Sequence, residues 1–293
     1  MLETIGFVGL GKLGLPMAEN LAASGFPLVI YNRTAEKASG LVANGALLVD
    51  TPAQAALQGG VVLTVVSDDK ALLTIADEEF CRSLGAGIHV SMSTVSPETS
   101  RILGERHARY GGQLVAAPVF GRPAAAVARK LWICTSGPTK AKERVKPIFA
   151  ALSQGVFDFG DQPGAANVVK LAGNFMLTAA IEAMAEASAM GEKNGVPREA
   201  LLSMFMQTIF NCPIYVNYGK AIIEADFEKV GFSNLLILKD MHLVQKTAAD
   251  SRAPMPMVNL LVDRYLSLIA NGREHQDAVS LVLGAAEDAG LKW

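Results

Sequence analysis

Lys170 and Asn174 stand four residues apart in a long, mostly apolar stretch that runs from Gln162 to Asn194. On a helix that spacing puts both side chains on one face. A lysine is costly to bury in apolar surroundings. If its pKa falls toward neutral, it can hand a proton to a carbonyl oxygen. Helical position alone leaves open a lysine that snorkels its ammonium to solvent. Three other groups carry polar chemistry. Ser93 and Thr94 follow the predicted strand that ends at Ser91. Hydroxyls at the end of such a strand can bind a carboxylate or an amide. Ser96 reads as the cap of a helix that opens at Pro97. Phe120, Gly121 and Arg122 follow a further strand. Phe232, Ser233, Lys239 and Asp240 lie on a late helix, where Lys239 and Asp240 also fit an exposed charge pair.

A glycine-rich turn begins the chain. Gly9, Gly11 and Gly14 are spaced G-x-G-x-x-G between the apolar run Ile5-Gly6-Phe7-Val8 and the helical pattern from Leu15 to Leu21. That context is the one a dinucleotide pyrophosphate needs. Gly9, Gly11, Lys12, Leu13 and Gly14 therefore form the expected cofactor turn, with the helix N-terminus facing the phosphates. The next strand ends in Asn32-Arg33-Thr34. A carboxylate there would accept from a ribose 2′-hydroxyl and repel a 2′-phosphate. Asn32 stands in its place, and Arg33 and Thr34 can donate to a phosphate. The expected cofactor is NADP(H). The competing reading makes Arg33 a solvated turn residue.

These residues need elements to position them. Strand signals fall at 4–9, 27–31, 45–49, 61–66, 87–91, 113–117, 131–135 and 154–158. Helix signals fall between them at 15–24, 35–43, 52–57, 69–79, 97–109 and 139–151. Alternation of this kind predicts an α/β fold with a doubly wound sheet. Pro52, Pro97 and Pro138 read as first-turn residues. After the long helix the pattern is helical throughout: 197–207, 213–223, 233–250, 256–271 and 275–289. The expected organisation is a dinucleotide domain over 1–161, a connecting helix over 162–194 and an all-α domain over 195–293, with the ligand between the two domains.

The 293 residues carry a formal net charge of −2, with 51% hydrophobic and 18% charged residues. That composition is globular and has no nucleic-acid footprint. The basic run Lys130, Lys140, Lys142, Arg144 and Lys146 reads as a solvated face. Cys81, Cys134 and Cys212 match no disulfide or zinc pattern, which predicts a reducing, cytoplasmic setting. His89, His107, His242 and His275 have no metal-ligand spacing, so no metal is expected. The stretch 171–190 carries Asn174, Glu182 and Glu186 and reads as a buried helix rather than a membrane span.

Taken together, these motifs resemble those of the β-hydroxyacid dehydrogenases, from Ile5 to about Asp277. Gly9 to Ala18, Ser93 to Pro97, Lys170 with Asn174, Leu238-Lys239-Asp240 and Asp277-Ala278-Val279-Ser280 carry the likeness. The resemblance implies a Rossmann-type N-terminal domain, a long connecting helix and an all-α C-terminal domain. It implies hydride transfer to a small aldehyde or keto acid, and a homodimer or homotetramer. Lys170 would be the general acid and Asn174 would hold the substrate. Ser93 and Thr94 would sit by nicotinamide and substrate. Val66, Ser67 and Asp69 would line the cofactor loop, Lys239 would approach the substrate and Phe232 would pack by the nicotinamide. One segment departs. Where the family has Pro-Val-Ser-Gly-Gly, this chain has Pro118-Val119-Phe120-Gly121-Arg122. Phe120 removes a hydroxyl, and Arg122 could anchor a carboxylate in its place or point to solvent. An imine reductase relative and a non-catalytic cofactor-binding protein are the competing readings.

Overall fold

The computed structural model describes residues 2–292. The expected domain limits at 1 and 293 lie outside them. Nine strands are present among the described residues: β1 Ile5–Val8, β2 Leu28–Tyr31, β3 Leu47–Leu48, β4 Val61–Thr64, β5 Ile88–Ser91, β6 Gln113–Ala116, β7 Val119–Phe120, β8 Leu131–Thr135 and β9 Ser153–Asp158. The first six form one parallel sheet in the order β3-β2-β1-β4-β5-β6. β1, β4 and β5 are buried along their whole length. Near-continuous Val, Ile and Leu runs are what a sheet covered on both faces demands. In this order β1 lies between β2 and β4, the switch point where open sheets bind ligands at their strand C-termini.

Two of the eight predicted strands lie outside this sheet. They are β8 and β9, which join β7 in a three-stranded sheet, with β7 antiparallel and β9 parallel to β8. The Ala117 amide makes the last ladder bond, to Ser91 O at 2.7 Å. Pro118 follows and has no N–H to continue it. β7 and the short helix Pro123–Val127 were not foreseen.

Several element limits also move. The helix expected over 69–79 is two helices, Asp69–Ile75 and Glu78–Leu84, because the Asp77 side chain caps a fresh start by accepting from Phe80 N. The segment 275–289 opens as a 3₁₀ turn, Ala278–Ser280, capped by Asp277, before the helix Leu281–Asp288. Residues 35–43 divide into a 3₁₀ turn, Ala35–Ala38, and a short helix, Ser39–Ala43. Pro138 is the N-cap of Thr139–Leu152 rather than a first-turn residue. Lys142, expected on a solvated face, is buried. Its ammonium lies 2.6 Å from Asp158 and 3.2 Å from Asp161, and it donates to Gly160 O.

The chain divides into two compact units, one ending at Lys170 and the other beginning at Leu171. The division falls inside one continuous helix, Ala165–Lys193. By length and mean hydropathy this helix could cross a membrane, and half of its most apolar window is buried in the fold. Its buried side includes Asn167, Lys170, Asn174, Thr178 and Glu182 as well as Leu171 and Ile181, a polar content suited to a core helix. The second unit is helical, with a core built around Ile181, Met241, Leu261 and Tyr265.

Candidate active site

The glycine turn closes over the C-terminal ends of β1 and β4. Gly9 has φ +102°, and a Cβ there would meet Val65 O at 2.2 Å, so only glycine fits. A Cβ on Gly14 would lie 2.0 Å from Gly9 O. Gly11 differs: a Cβ there would meet nothing within 4 Å, and the residue is exposed. The helix Gly14–Ala23 has no side-chain cap at its N-terminus and no acidic residue in its first turn. Open space over Gly11 beside an uncapped helix N-terminus fits a pyrophosphate. Lys12 is exposed and Leu13 half-buried at this end. Asn32 braces the turn. Its Oδ1 accepts from Leu10 N at 2.8 Å and its Nδ2 donates to Thr34 O. Arg33 and Thr34 are exposed just beyond it.

Two neighbouring loops are tied together. Ser93 is buried at the end of β5, and its Oγ accepts from Val66 N at 2.8 Å. The Ser93 hydroxyl therefore keeps its own proton to donate. Thr94 is half-buried beside it, and the exposed Ser67 donates to Asp68. Asp69 follows on the helix Asp69–Ile75. Its Oδ1 accepts from Ser96 N, Ser96 Oγ and Thr99 Oγ1 at 2.9, 2.5 and 2.5 Å. It anchors the start of the helix Pro97–Ala108.

Lys170 is rooted in the first unit by its own helix. Ala166 N donates to Ser136 Oγ, Asn167 Nδ2 to Val95 O, and Ser100 Oγ to Asn167 Oδ1. These bonds fix the first helical turn on Ser136 and on the segment 95–100. One turn later Lys170 is only 8% exposed, so it is a buried lysine and not a snorkelling one. Its Nζ lies 4.2 Å from the centroid of the Phe120 ring. Gly121 follows with φ +144°, and Arg122 is the half-buried N-cap of Pro123–Val127. Cys134 lies near the Lys170 charge, and burial pushes its thiol pKa up.

The second unit presents its own constellation. Asn174 is buried and its Nδ2 donates to Asp240 Oδ2. Asp240 Oδ1 lies 2.8 Å from Lys239 Nζ. The pair read as an exposed charge pair therefore has a buried carboxylate and a mostly covered lysine. Phe232 is half-buried against the helical core, and its loop is tied by Asp277, whose Oδ2 accepts from Gly231 N and Phe232 N. Asn167 is a positioning residue that was not singled out, while Asp240 and Asp277 were named for their motifs and not for these hydrogen bonds. Polar residues recurring on apolar helix faces were the available signal. Among the described residues no cluster of three His, Cys, Asp or Glu side chains could hold a metal ion.

Residues 4–160 match the NAD binding domain of 6-phosphogluconate dehydrogenase. Residues 164–283 match the family described as NAD-binding of NADP-dependent 3-hydroxyisobutyrate dehydrogenase. The chain belongs to the β-hydroxyacid dehydrogenase family. As a member of it, the protein is an oxidoreductase that acts on hydroxyl groups and uses a nicotinamide dinucleotide. An uncharacterized oxidoreductase of Bacillus subtilis, YfjR, is 38% identical over 95% of this chain and 98% of its own length. The NAD-dependent L-serine dehydrogenase of Pseudomonas aeruginosa is 28% identical over 94% and 95%. The structure of 3-hydroxyisobutyrate dehydrogenase from Mycobacterium tuberculosis with L-serine superposes with a TM-score of 0.88 at 24% identity, covering 97% of this chain and 99% of that one. The two-part α/β architecture of the β-hydroxyacid dehydrogenases is thus the fold of this chain.

Proposed function

We propose that this protein is an NADPH-dependent reductase of a small aldehyde or keto acid, with Lys170 as the proton donor. The observation that carries the reading is the burial of Lys170 on a helix turn fastened by Asn167. A fold that bears the cost of burying an ammonium uses it for chemistry more readily than for solubility. When bound, the nicotinamide supplies the hydride that adds to the carbonyl carbon. Lys170 gives an Nζ proton to the carbonyl oxygen and becomes neutral; in the reverse direction it takes that proton back. Asn174, oriented by Asp240, holds the substrate. The Ser93 hydroxyl, with Thr94, orients the nicotinamide and substrate ends. Gly11 and the helix N-terminus receive the pyrophosphate, and Arg33 with Thr34 receives the 2′-phosphate.

The substrate end departs from the family at Phe120, Gly121 and Arg122. Phe120 turns a ring face to the ammonium, and Arg122 takes over the anchoring of a carboxylate by its planar fork. Lys239 and Phe232 complete the assignment from the helical unit. Met176, Met190, Met204 and Leu260 are exposed on its helices and Ile209 on a turn between them, which supports a homodimer or homotetramer. Three free cysteines support a cytoplasmic setting.

The deciding assay is oxidation of NADPH, with NADH in parallel, against glyoxylate, succinic semialdehyde, methylmalonate semialdehyde, tartronate semialdehyde, uncharged aldehydes and a cyclic imine. Turnover of an aldehyde acid with NADPH supports the reading. Turnover of the imine alone would replace it with an imine reductase, and preference for NADH would remove Arg33 from the cofactor site.

A further inference from the structure

β9 is the longest strand among the described residues, and it stands at a free edge of its sheet. A free edge is a template for pairing with another chain, and folds blunt it with short strands, lysine or proline. The edge strands β3 and β7 have two residues each. Ser153–Asp158 is neither short nor guarded by lysine or proline. Its one charged residue, Asp158, is met by the buried Lys142 ammonium at 2.6 Å.

One bond fixes which way the backbone faces. Phe159 N donates to Thr135 O at 2.8 Å, toward β8. Peptide groups alternate along a strand. Those of Phe157 therefore also face β8, and those of Val156 and Asp158 face outward. Leu131 pairs with Ser153 and Trp132 with Gly155, which leaves Gln154 as an extra residue in a bulge. The straight part of the edge runs from Gly155 to Phe159, with Phe157 at its centre. Val156, Phe157 and Phe159 are 44, 53 and 40% exposed. The Trp132 ring lies where a Cβ on Gly155 would stand, 5.8 Å from the Phe157 ring.

We propose that β9 pairs antiparallel with β9 of a second copy of this chain, about a two-fold axis at Phe157. The two three-stranded sheets then become one continuous sheet. Val156 of each copy exchanges backbone hydrogen bonds with Asp158 of the other. The two Phe157 residues face each other as a non-hydrogen-bonded pair, where side chains lie closest. Their Trp132–Phe157 ring pairs merge into one aromatic cluster. Self-pairing is favoured because the outward peptide groups flank Phe157 symmetrically, so the segment is its own complement under a two-fold axis. Lys142 offsets Asp158 in each copy, so like charges do not oppose the meeting. One strand edge is small beside the ~1,200 Å² of a stable complex, so association through it rises with concentration. The contact is separate from the exposed apolar residues of the helical unit and does not depend on them.

The test uses full-length protein carrying Cys212→Ser, which removes the exposed thiol and leaves Cys81 and Cys134 buried. Phe157→Cys or Val156→Cys is added, and the protein is oxidised with copper phenanthroline. Cα atoms of a non-hydrogen-bonded pair sit about 4.5 Å apart, within disulfide reach. In this register the two Val156 residues are diagonal neighbours, about 7–8 Å apart and beyond it. Phe157→Cys should give at least about ten-fold more covalent dimer than Val156→Cys on a non-reducing gel, as those distances require. In the second readout, Phe157→Lys sets like charges at the axis. Its sedimentation mass should fall about two-fold where the wild type associates, with an unchanged Tm. No covalent dimer from Phe157→Cys, equal cross-linking of the two cysteine variants, or a mass that ignores Phe157→Lys overturns the proposal. A mass that ignores Phe157→Lys while an unrelated extended peptide binds the edge overturns it in favour of that peptide.

Discussion

Asp240 accepts a hydrogen bond from the Asn174 side chain inside the helical unit, joining two helices across 66 residues of sequence. The same carboxylate pairs with Lys239. A buried carboxylate with two polar partners fixes the orientation of the Asn174 amide, because only its N–H end can face Asp240.

Asp240→Asn should therefore disturb catalysis more than folding. Loss of a charge-assisted hydrogen bond is worth about 1.5–3 kcal/mol, so kcat/KM should fall about 10- to 100-fold. Steady-state kinetics alongside thermal unfolding check this. Unchanged kcat/KM with a large drop in Tm would make the bond merely structural.

Lys170→Ala removes the proposed acid. The expected loss in kcat is about 10²- to 10⁴-fold, with the Kd for NADPH nearly unchanged by fluorescence titration. Retained turnover would end the assignment.

Gly11 and Gly14 separate binding from folding. A methyl group on Gly11 meets open space, so Gly11→Ala should keep its Tm and lose dinucleotide affinity. On Gly14 the same methyl group meets the Gly9 carbonyl. Gly14→Ala should cost about 2–4 kcal/mol of stability through overpacking. Normal NADPH binding by Gly11→Ala would place the pyrophosphate elsewhere.

Arg33 bears on cofactor choice alone. Arg33→Ala should weaken NADPH about 10- to 100-fold through the lost phosphate contact, and leave NADH within about two-fold by the same argument. Equal losses for both cofactors contradict the role.

Acid stability depends on a buried histidine pair. His89 Nδ1 and His107 Nε2 lie 2.8 Å apart, and Thr64 Oγ1 lies 2.9 Å from His89 Nε2. Burial pushes both histidines down, His107 to about 4. Unfolded His107 binds its proton near pH 6.5 and the folded residue only near 4. Between those values the unfolded state gains protons that the folded state does not. The His107 contribution is thus full above pH 6.5, falls by about 3 kcal/mol on the way to pH 4, and levels off below. Denaturant titrations at pH 7.5 and 4.5 read this directly, and a His107→Gln variant should lose that part of the slope. Identical pH slopes in both proteins would contradict the account.

Local chemistry carried far in this chain. The glycine spacing, the apolar strand runs and the capping residue Ser96 act through neighbours in sequence, so the parallel sheet, its ligand-binding edge and the motifs of the family could be read directly. Lys170 and Asn174 were legible because helical periodicity alone puts them one turn apart. Asp77, which splits one predicted helix into two, also acts locally, yet the apolar period runs past it and hides the break.

Tertiary structure decided what depends on distant partners. Whether Lys170 is buried or snorkels follows from what lies over it, and Phe120 comes from a strand 50 residues earlier that pairs with β8 instead of the main sheet. Asp69 meets Ser96 and Thr99, and Lys142 is drawn from the surface by Asp158 and Asp161. Sequence period records which face of an element is apolar. It does not record which remote polar groups meet, because those meetings are fixed by how elements pack. The residue types in the glycine turn and around Lys170 thus came from the chain itself, and their partners came from the fold.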